Sequence, residues 1–346
     1  MPDIILDAST PKDSIIIKFL VDRLEKDGIS YIVVARSSTQ TIDLLEMFGI
    51  DYVLTGRYGY TLEDKYRVTL EQEMILAKVF ASEKPSLVWS HGNVAVVRTA
   101  YQLGIPVILS NDTPHNKPVV KLTTPLATKL ISPEAIEKCV WVENGIEPEN
   151  VVIYSGVEEY TWTRLYRDVD REEILKKYLG YVPDRVIVYR GVEYKASYSY
   201  QVETPSREIV ERVSRYGTVI VVPRYGDEKR VFQGIENVVI LDKTPLAVEL
   251  LAASDMAVLS GGTMAKEAAL LGIPTISFYF RDKVLTYLMS RGLPIRYIPH
   301  PDMIEEYVSL VLEEPDKFRI YPERLIGDFQ DHIDVIIDTV YSLLKR

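Results

Sequence analysis

The chain has 346 residues, of which 47% are hydrophobic, and a formal net charge of -10. This length exceeds the usual size of one hydrophobic core, so the sequence predicts two domains, and the acidic balance argues against sequence-independent nucleic-acid binding. The single cysteine, Cys139, excludes an internal disulfide, and no run of about 18 apolar residues occurs, so we expect a cytoplasmic protein without an integral membrane segment.

The first half alternates between apolar strands and amphipathic helices, the order that predicts a parallel α/β sheet. In chain order we predict strand 4–8, helix 12–26, strand 31–35, helix 39–48, strand 52–54, helix 63–82, strand 87–89, a helix ending at 102, strand 107–109, a helix near 118 and strand 129–131. Residues 146–157 are interpreted as the crossover to the second half.

The second half repeats this alternation. We predict helix 171–178, strand 186–189, helix 205–216, strands 219–222 and 238–241, helix 245–253, strand 256–259, and helices near 284–291, 303–313 and 333–345. The predicted domains are residues 1–153 and 154–327, with residues 328–346 forming a helix that packs back on the N-terminal domain. Cys139 is expected to be a buried small apolar residue.

The segment 260–274 reads SGGTMAKEAALLGIP and follows an apolar strand, so it predicts a glycine turn, a helix and a second strand. Gly261 and Gly262 remove Cβ atoms between Ser260 and Thr263, where a diphosphate can approach backbone N–H groups at the start of a helix. Glu267 follows about one turn later, at a position expected to be exposed, and its carboxylate can accept hydrogen bonds from a ribose diol. The alternative is a tight turn that serves packing alone.

A second copy of this pattern lies upstream, in residues 87–109. It contains the turn Ser90-His91-Gly92-Asn93 and ends, like the first, in Leu-Gly-Ile-Pro before a strand. The two copies predict equivalent units in two doubly wound halves, each built on a parallel sheet. Because ligands of such halves bind at the carboxyl ends of the strands, both turns are candidate sites.

The segment from Ser260 to Pro274 resembles the donor-binding region of GT-B glycosyltransferases, of lipid-linked N-acetylglucosaminyltransferases, and of non-hydrolysing UDP-N-acetylglucosamine 2-epimerases. The resemblance implies a GT-B-like α/β fold of two doubly wound, Rossmann-like domains whose parallel sheets face a central cleft. It also implies that Ser260, Gly261, Gly262 and Thr263 contact a nucleotide diphosphate and that Glu267 holds the ribose. No metal-ligand spacing is present, so the UDP-sugar is expected as substrate, without a cofactor or metal.

Over nearly its whole length the chain resembles a largely archaeal, uncharacterised GT-B-like family, domain-of-unknown-function family 354. The pattern includes Asp7, Ala35-Arg36, Gly56 to Gly59, Asn111 to His115, and Leu122 to Ala127. This resemblance implies a fold and a class of donor, but no reaction. Few Asn and Gln residues and 23 Tyr are typical of a hot-growing organism.

Two positions depart from the epimerase pattern. Asn93 stands where those enzymes carry an aspartate implicated in the chemistry, and Tyr189 stands where a histidine would be. An asparagine cannot act as a general base at neutral pH, which favours a transferase. Arg190 remains available to a diphosphate, with Lys195 as a second candidate.

We therefore predict a metal-independent glycosyltransferase that binds a UDP-sugar between its two domains. The candidate bases are Asp112, His115 and His91. The alternatives are that Asp112 or Thr113 caps the helix near Pro118, that His115 is a solvated loop residue, and that His91 is a packed turn residue. An epimerase and a non-catalytic nucleotide-sugar binder stay open as alternatives. The acceptor is unknown, with a lipid-linked molecule or a glycan as candidates, and both a homodimer and peripheral membrane contact are open.

Overall fold

The computed structural model describes residues 1–192, 206–224, 228–279 and 281–344. Contacts divide the chain into unit 1, comprising Met1–Gly156 and Gln330–Arg346, and unit 2, comprising Val157–Phe329. The sequence-based domain boundaries were placed after residues 153 and 327.

Unit 1 is built on a parallel sheet. Its strands are β1 (Ile4–Ala8), β2 (Tyr31–Ser37), β3 (Val53–Arg57), β4 (Leu87–Ser90), β5 (Val107–Ser110), β6 (Lys129–Pro133) and β7 (Val151–Tyr154). Their order is β3-β2-β1-β4-β5-β6-β7, so the order reverses between β1 and β4. Every residue of β1 and β4 is buried, as expected for central strands covered by helices on both faces.

The helices of this first segment are α1 (Pro11–Lys26), α2 (Thr39–Met47), α3 (Leu62–Glu83), α4 (Val94–Gln102), α5 (Lys117–Thr123) and α6 (Lys138–Val142), with 3-10 turns at Thr124–Leu126 and Pro148–Asn150. Helix α1 begins directly after β1. Thr10 caps it, and Asp13 completes a capping box by accepting from the Thr10 backbone N–H at 2.7 Å. This cap fixes the polar segment between β1 and α1.

Unit 2 has a second parallel sheet, formed by β8 (Val186–Arg190), β9 (Thr218–Val221), β10 (Val238–Ile240), β11 (Met256–Leu259), β12 (Thr275–Ser277) and β13 (Ile295–Tyr297). The order is β10-β9-β8-β11-β12-β13, and it reverses between β8 and β11. Its helices are α7 (Tyr160–Thr163), α8 (Arg171–Leu179), α9 (Ser206–Val213), α10 (Lys229–Phe232), α11 (Ala247–Ala252), α12 (Thr263–Leu270), α13 (Lys283–Ser290), α14 (Pro301–Glu313) and α15 (Pro315–Phe318), with 3-10 turns at Arg164–Tyr166 and Pro322–Arg324.

The last helix, α16 (His332–Leu344), belongs to unit 1. At its start the fully buried His332 stacks on Tyr154, with ring centroids 5.3 Å apart. His332 Nε2 also lies 3.2 Å from the Ser110 hydroxyl, which accepts from the Trp89 indole N–H at 3.0 Å. The C-terminal helix is therefore joined to the sheet of unit 1 by a buried polar contact.

The two parallel sheets confirm the predicted doubly wound α/β fold of both halves. Residues 146–157 were predicted as a crossover, and this was incomplete: the apolar run Val151–Tyr154 forms β7 and pairs with β6. The expectation of a buried Cys139 was wrong, because α6 turns Trp141 into the core and leaves Cys139 exposed. Among the described helices, none has both the length and the apolar composition that crossing a bilayer requires.

Candidate functional site

In unit 2 the predicted glycine turn lies where the strand order reverses, next to the end of β8. Such reversal points form the crevice in which doubly wound sheets bind ligands. The Ser260 backbone N–H donates to the Arg190 carbonyl at 3.1 Å, and the Ser260 hydroxyl donates to the Gly191 carbonyl at 2.9 Å. The turn is thus fixed against the end of the neighbouring strand, which also carries the Arg190 side chain.

The backbone of the turn requires glycine. Gly261 has a φ of 113°, and Gly262 has a φ of 75° with a ψ of -156°, a region that other residues rarely adopt. A Cβ atom built on Gly262 would meet no heavy atom within 4 Å. The space in front of Gly262 is therefore open, and helix α12, whose first N–H groups lack helical acceptors, begins at Thr263.

Glu267 lies on α12, but it is not exposed as expected. Its side chain is 1% exposed, and its Oε1 accepts from the Trp162 indole N–H at 2.7 Å. Within the described part of the chain, Oε2 is buried and has no hydrogen-bond partner. Burial raises the pKa of Glu267 to about 8; the hydrogen bond from Trp162 opposes this shift and the charge of Glu159 adds to it. Glu267 therefore carries a proton over much of the neutral range.

A second buried charge pair lies beside Glu267. Lys266 Nζ contacts Glu159 Oε1 at 2.7 Å, with 3% and 0% of the two side chains exposed. Every residue of α12 from Met264 to Leu270 is buried, so the helix is held on all sides. Arg190 Nη1 lies 3.2 Å from the Met264 sulfur, which places the guanidinium near the first turn of α12.

Two further residues in or near β8, Lys195 and Tyr189, were singled out from the sequence. Lys195 was predicted to assist Arg190, and it lies outside the described residues. Tyr189, the position that departs from the epimerase pattern, is fully buried and stacks against Phe278, with ring centroids 5.9 Å apart. Tyr189 is therefore part of the core of unit 2, and its burial raises the pKa of its hydroxyl.

In unit 1 a buried polar network lies at the carboxyl ends of β1 and β4, again where the strand order reverses. Asp7 accepts hydrogen bonds from the hydroxyls of Ser9 and Ser90, both at 2.7 Å, and from the Asn93 amide at 3.2 Å. Burial and the charge of Asp13 raise the pKa of Asp7 to about 6, although these three hydrogen bonds lower it. Asp7 is thus a carboxyl group that titrates close to neutrality.

Asn93 has a defined orientation in this network. Its amide N–H₂ also donates to the Ser9 hydroxyl at 2.7 Å, while its carbonyl oxygen accepts from the Ala95 backbone N–H at 3.0 Å and caps α4. The side chain therefore presents its donor to Asp7. It stands where the epimerase pattern has an acid, and the adjacent carboxyl group of this chain is Asp7.

His91 and Asp112, two of the predicted bases, lie close together: a ring nitrogen of His91 is within 4.8 Å of a carboxylate oxygen of Asp112. His91 Nδ1 is 4.0 Å from Asp13 Oδ1, an oxygen that has no hydrogen-bond partner within the described residues. Burial raises the pKa of Asp13, and the charges of His91 and Lys12 lower it. Asp112 forms an ion pair with Lys12 at 3.1 Å, with side chains only 5% and 12% exposed, and accepts from the Thr113 hydroxyl at 2.7 Å.

The third predicted base, His115, follows in the loop after β5. It is half-buried, and its carbonyl accepts from the Lys117 backbone N–H at 2.9 Å, at the start of α5. The side chain of Asp112 does not cap this helix, because Asn116 occupies the cap position and the carboxylate pairs with Lys12. The helix-cap alternative for Asp112 is therefore wrong.

Sequence reasoning missed residues in both units. In unit 1 it overlooked Lys12 and Asp13, although a polar run between a buried strand and a helix is a visible signal for a strand-end site. In unit 2 it overlooked Trp162, which lies 105 residues from its partner Glu267. No local pattern connects residues at that separation.

The comparisons with known proteins agree with the fold. A family model described as "Protein of unknown function (DUF354)" matches residues 3–345. An uncharacterized protein of Methanocaldococcus jannaschii is 29% identical over 334 residues, which cover 94% of each chain.

Solved structures with the same fold include one with UDP and one with UDP-GlcNAc bound. The Staphylococcus aureus MnaA-UDP co-structure is 16% identical with a TM-score of 0.75, covering 100% of this chain and 97% of that one. The UDP-GlcNAc 2-epimerase of Neisseria meningitidis bound to UDP-GlcNAc is 15% identical with a TM-score of 0.75, covering 99% of this chain and 100% of that one. At these identities the likeness establishes the fold.

Proposed function

The chain belongs to the family described as Protein of unknown function (DUF354), and we propose that it binds a UDP-sugar at the turn Ser260–Thr263 and transfers the sugar to an acceptor. The observation that carries this proposal is the glycine-only backbone of Gly262, which leaves open space at the start of α12. Two proteins of the same fold are described with UDP or UDP-GlcNAc bound, which supports the choice of nucleotide.

The proposed transfer breaks the bond between the sugar's anomeric carbon and the diphosphate oxygen, and forms a bond to an acceptor oxygen. The departing diphosphate gains negative charge, which the free N–H groups of α12 and the Arg190 guanidinium are suited to stabilise. The acceptor hydroxyl loses a proton to a base, for which His91, Asp112 and His115 stay the candidates.

Epimerisation of the sugar is the second candidate function, and Asp7 favours it. Inverting a sugar carbon by proton transfer needs a group that accepts and returns a proton near neutral pH. Asp7, with a pKa of about 6, has this property although Asn93 lacks it. In this reaction UDP stays bound to the sugar in the product, so the two reactions differ in whether UDP is released.

Incubation with UDP-GlcNAc separates the candidate functions. Release of UDP that depends on an added acceptor indicates a transferase, while a new sugar isomer on UDP indicates an epimerase. Saturable binding with neither product indicates a binding protein. Absence of binding to UDP and to every UDP-sugar in a panel contradicts the proposal as a whole.

Arg190 provides the residue-level test of the site. Arg190→Met should weaken UDP binding about tenfold or more, because a hydrogen bond to a charged group contributes about 1.5–3 kcal/mol. Uridine, which lacks the diphosphate, should bind equally to both proteins. Arg207→Met is the matched control, since Arg207 is 47% exposed and paired with Glu211 on α9. Equal UDP affinity of Arg190→Met and wild type by calorimetry would remove Arg190 from the site.

A further inference from the structure

Arg36 is a half-buried arginine at the carboxyl end of β2, next to the end of β1, with which β2 pairs. Its Nη2 donates to the Ser9 carbonyl at 3.1 Å. Its Nε is buried and finds no hydrogen-bond acceptor among the described residues, and none of their carboxylates lies within ion-pair distance of the guanidinium. A buried donor without a partner is rare in proteins, and a bound ion or ligand is one of the usual reasons for it.

The two arginines that follow Arg36 on β3 and α3 are both paired with a carboxylate. Arg57 donates twice to Asp64, at 2.9 and 2.6 Å, and Arg67 contacts the same carboxylate at 3.0 Å. Arg67 is paired although its side chain is 63% exposed. An unpaired charge costs more free energy when it is shielded from water. Arg36, which is half-buried, is nevertheless the arginine without a carboxylate in the described part of this region.

A β-bulge sets the position of Arg36. The register of β2 with β3 shifts between Ala35 and Arg36, so that Thr55 is an extra residue on β3. The Thr55 hydroxyl donates to the Ala35 carbonyl at 3.1 Å and accepts from the Gln72 amide of α3 at 3.1 Å. Thr55 and Gln72 are both buried. A bulge redirects the side chain beside it, and these buried hydrogen bonds hold this one in place.

Tyr58, in the loop after β3, supports the guanidinium of Arg36. The Arg36 Cζ lies 5.0 Å from the centroid of the Tyr58 ring, and the Lys65 Nζ lies 5.7 Å from the same centroid. Gly59 lets this loop lie against the start of α3, because a Cβ atom on it would come within 2.6 Å of the Lys65 Cα. Stacking on an aromatic ring fixes a guanidinium and leaves its in-plane N–H donors available.

The chemistry of this cluster suits a phosphate group. The forked N–H donors of a guanidinium match two oxygens of a phosphate or of a carboxylate. Two cations, Arg36 and Lys65, lie over the ring of Tyr58. A phosphate monoester carries a charge of about -1.5 to -2 at pH 7, whereas a carboxylate carries a single charge. The pair of cations therefore favours the phosphate.

Ser9 connects Arg36 to the buried polar network of unit 1. The Ser9 carbonyl accepts from Arg36, its backbone N–H donates to Asp13 at 3.1 Å, and its hydroxyl donates to Asp7 at 2.7 Å. A group bound at Arg36 is therefore joined through one residue to the carboxyl group that titrates close to neutrality.

We propose that Arg36, held on Tyr58, binds a phosphate group through N–H donors that the described residues leave unused, and that this phosphate belongs to the acceptor. Its assignment to the acceptor rests on the proposed function, whereas the phosphate site rests on the contacts of Arg36 and Tyr58 alone. A soluble phosphate ester and a lipid headgroup present the same oxygens to the guanidinium, so both are sources of this group.

Equilibrium dialysis with inorganic phosphate, in the presence and absence of saturating UDP, tests the site on the full chain. Wild type should bind phosphate while UDP is present, and Arg36→Met should weaken this binding at least about tenfold. Arg67→Met is the matched control: it removes the same charge from a paired side chain and should bind phosphate as wild type does. Arg36→Lys keeps the charge without the fork, so its affinity should fall between those of wild type and Arg36→Met.

Thermal unfolding shows whether each variant is folded and gives a second measurement. With UDP present, phosphate should raise the melting temperature of wild type and Arg67→Met, but not that of Arg36→Met. Competition by glycerol 3-phosphate supports a soluble ester as the ligand. Cosedimentation with phosphatidylcholine vesicles that contain phosphatidic acid, lost in Arg36→Met, supports a lipid headgroup.

Three results would overturn the phosphate site. These are a wild type that binds none of the phosphate probes, equal phosphate affinity of wild type and Arg36→Met, and a loss of UDP affinity in Arg36→Met as large as its loss of phosphate affinity. The last result would assign Arg36 to the nucleotide. Phosphate binding that depends on Arg36 in a protein that does not bind UDP would retain the site and refute the proposed function, so the two failures are distinguishable.

Discussion

Replacement of Glu267 by glutamine should change how the stability of the protein depends on pH. The carboxyl group has a pKa of about 8 in the folded protein, against an ordinary value of 4.5 for a solvated glutamate. Between these values the folded state holds a proton that the unfolded state has lost. Stability conferred by this group is therefore complete below about pH 4.5 and decreases as the pH rises towards 8.

The size of the effect follows from the two pKa values. Each unit of displacement corresponds to about 1.4 kcal/mol, so wild type should lose about 3 kcal/mol by pH 6.5 and about 5 kcal/mol by pH 8. Glu267→Gln lacks the titrating proton, and its amide oxygen can still accept from Trp162. The free energy of unfolding of the variant should therefore lack this decrease.

Urea unfolding at pH 5, 6.5 and 8 measures the difference between wild type and Glu267→Gln. The free energies of unfolding of the two proteins should be closest at pH 5, and that of the variant should rise relative to wild type at each higher pH. Glu172→Gln is the control, because Glu172 is 69% exposed on α8, and its difference from wild type should not vary with pH. A difference for Glu267→Gln that is constant from pH 5 to 8 would refute the reasoning. Glu267→Ala is unsuitable, because it leaves a cavity and an unpaired Trp162 indole N–H.

Three further predictions concern the two strand-end sites. Gly262→Ala should lower the free energy of unfolding by about 1–3 kcal/mol through backbone strain alone, since its Cβ meets no atom, and unchanged stability would contradict the left-handed turn. Lys12→Met should cost about 3 kcal/mol, because it removes the cation paired with the buried Asp112 carboxylate, and adding Asp112→Asn should recover most of this loss. A double mutant as unstable as the single mutant would contradict the pairing. Wild type should lose stability as the pH rises from about 4 to 6, because the raised pKa of Asp7 favours the folded state only while the group is protonated, and Asp7→Asn should remove this loss. If wild type and Asp7→Asn show the same dependence of melting temperature on pH, Asp7 does not have a raised pKa.

The sequence predicted the two sheets and the turn at residue 260 because both depend on local patterns. Apolar strands followed by small residues and a helix are visible within about 15 positions, and Gly261 and Gly262 specify the backbone directly. The strand β7 was missed because four apolar residues can equally belong to a linker. The length of this apolar run did not distinguish a strand from a linker.

The surroundings of Glu267 could not be predicted in the same way. A glutamate in the first turns of a helix is usually exposed, and burial costs free energy unless the group is protonated or paired. Here α12 is enclosed by α7, which supplies Trp162 from 105 residues away. Likewise, the pairing of Lys12 with Asp112 joins residues 100 positions apart through the sheet.

The position of His332 bears on the order in which the chain folds during synthesis. Unit 1 is formed by two segments that unit 2 separates, and the contacts of His332 with Ser110 and Tyr154 join α16 to strands made earlier. Unit 2 is uninterrupted and is complete when Phe329 leaves the ribosome. The surface of the unit 1 sheet that binds α16 therefore stays uncovered until His332–Leu344 has been synthesised. The half that is synthesised first is the half that finishes last.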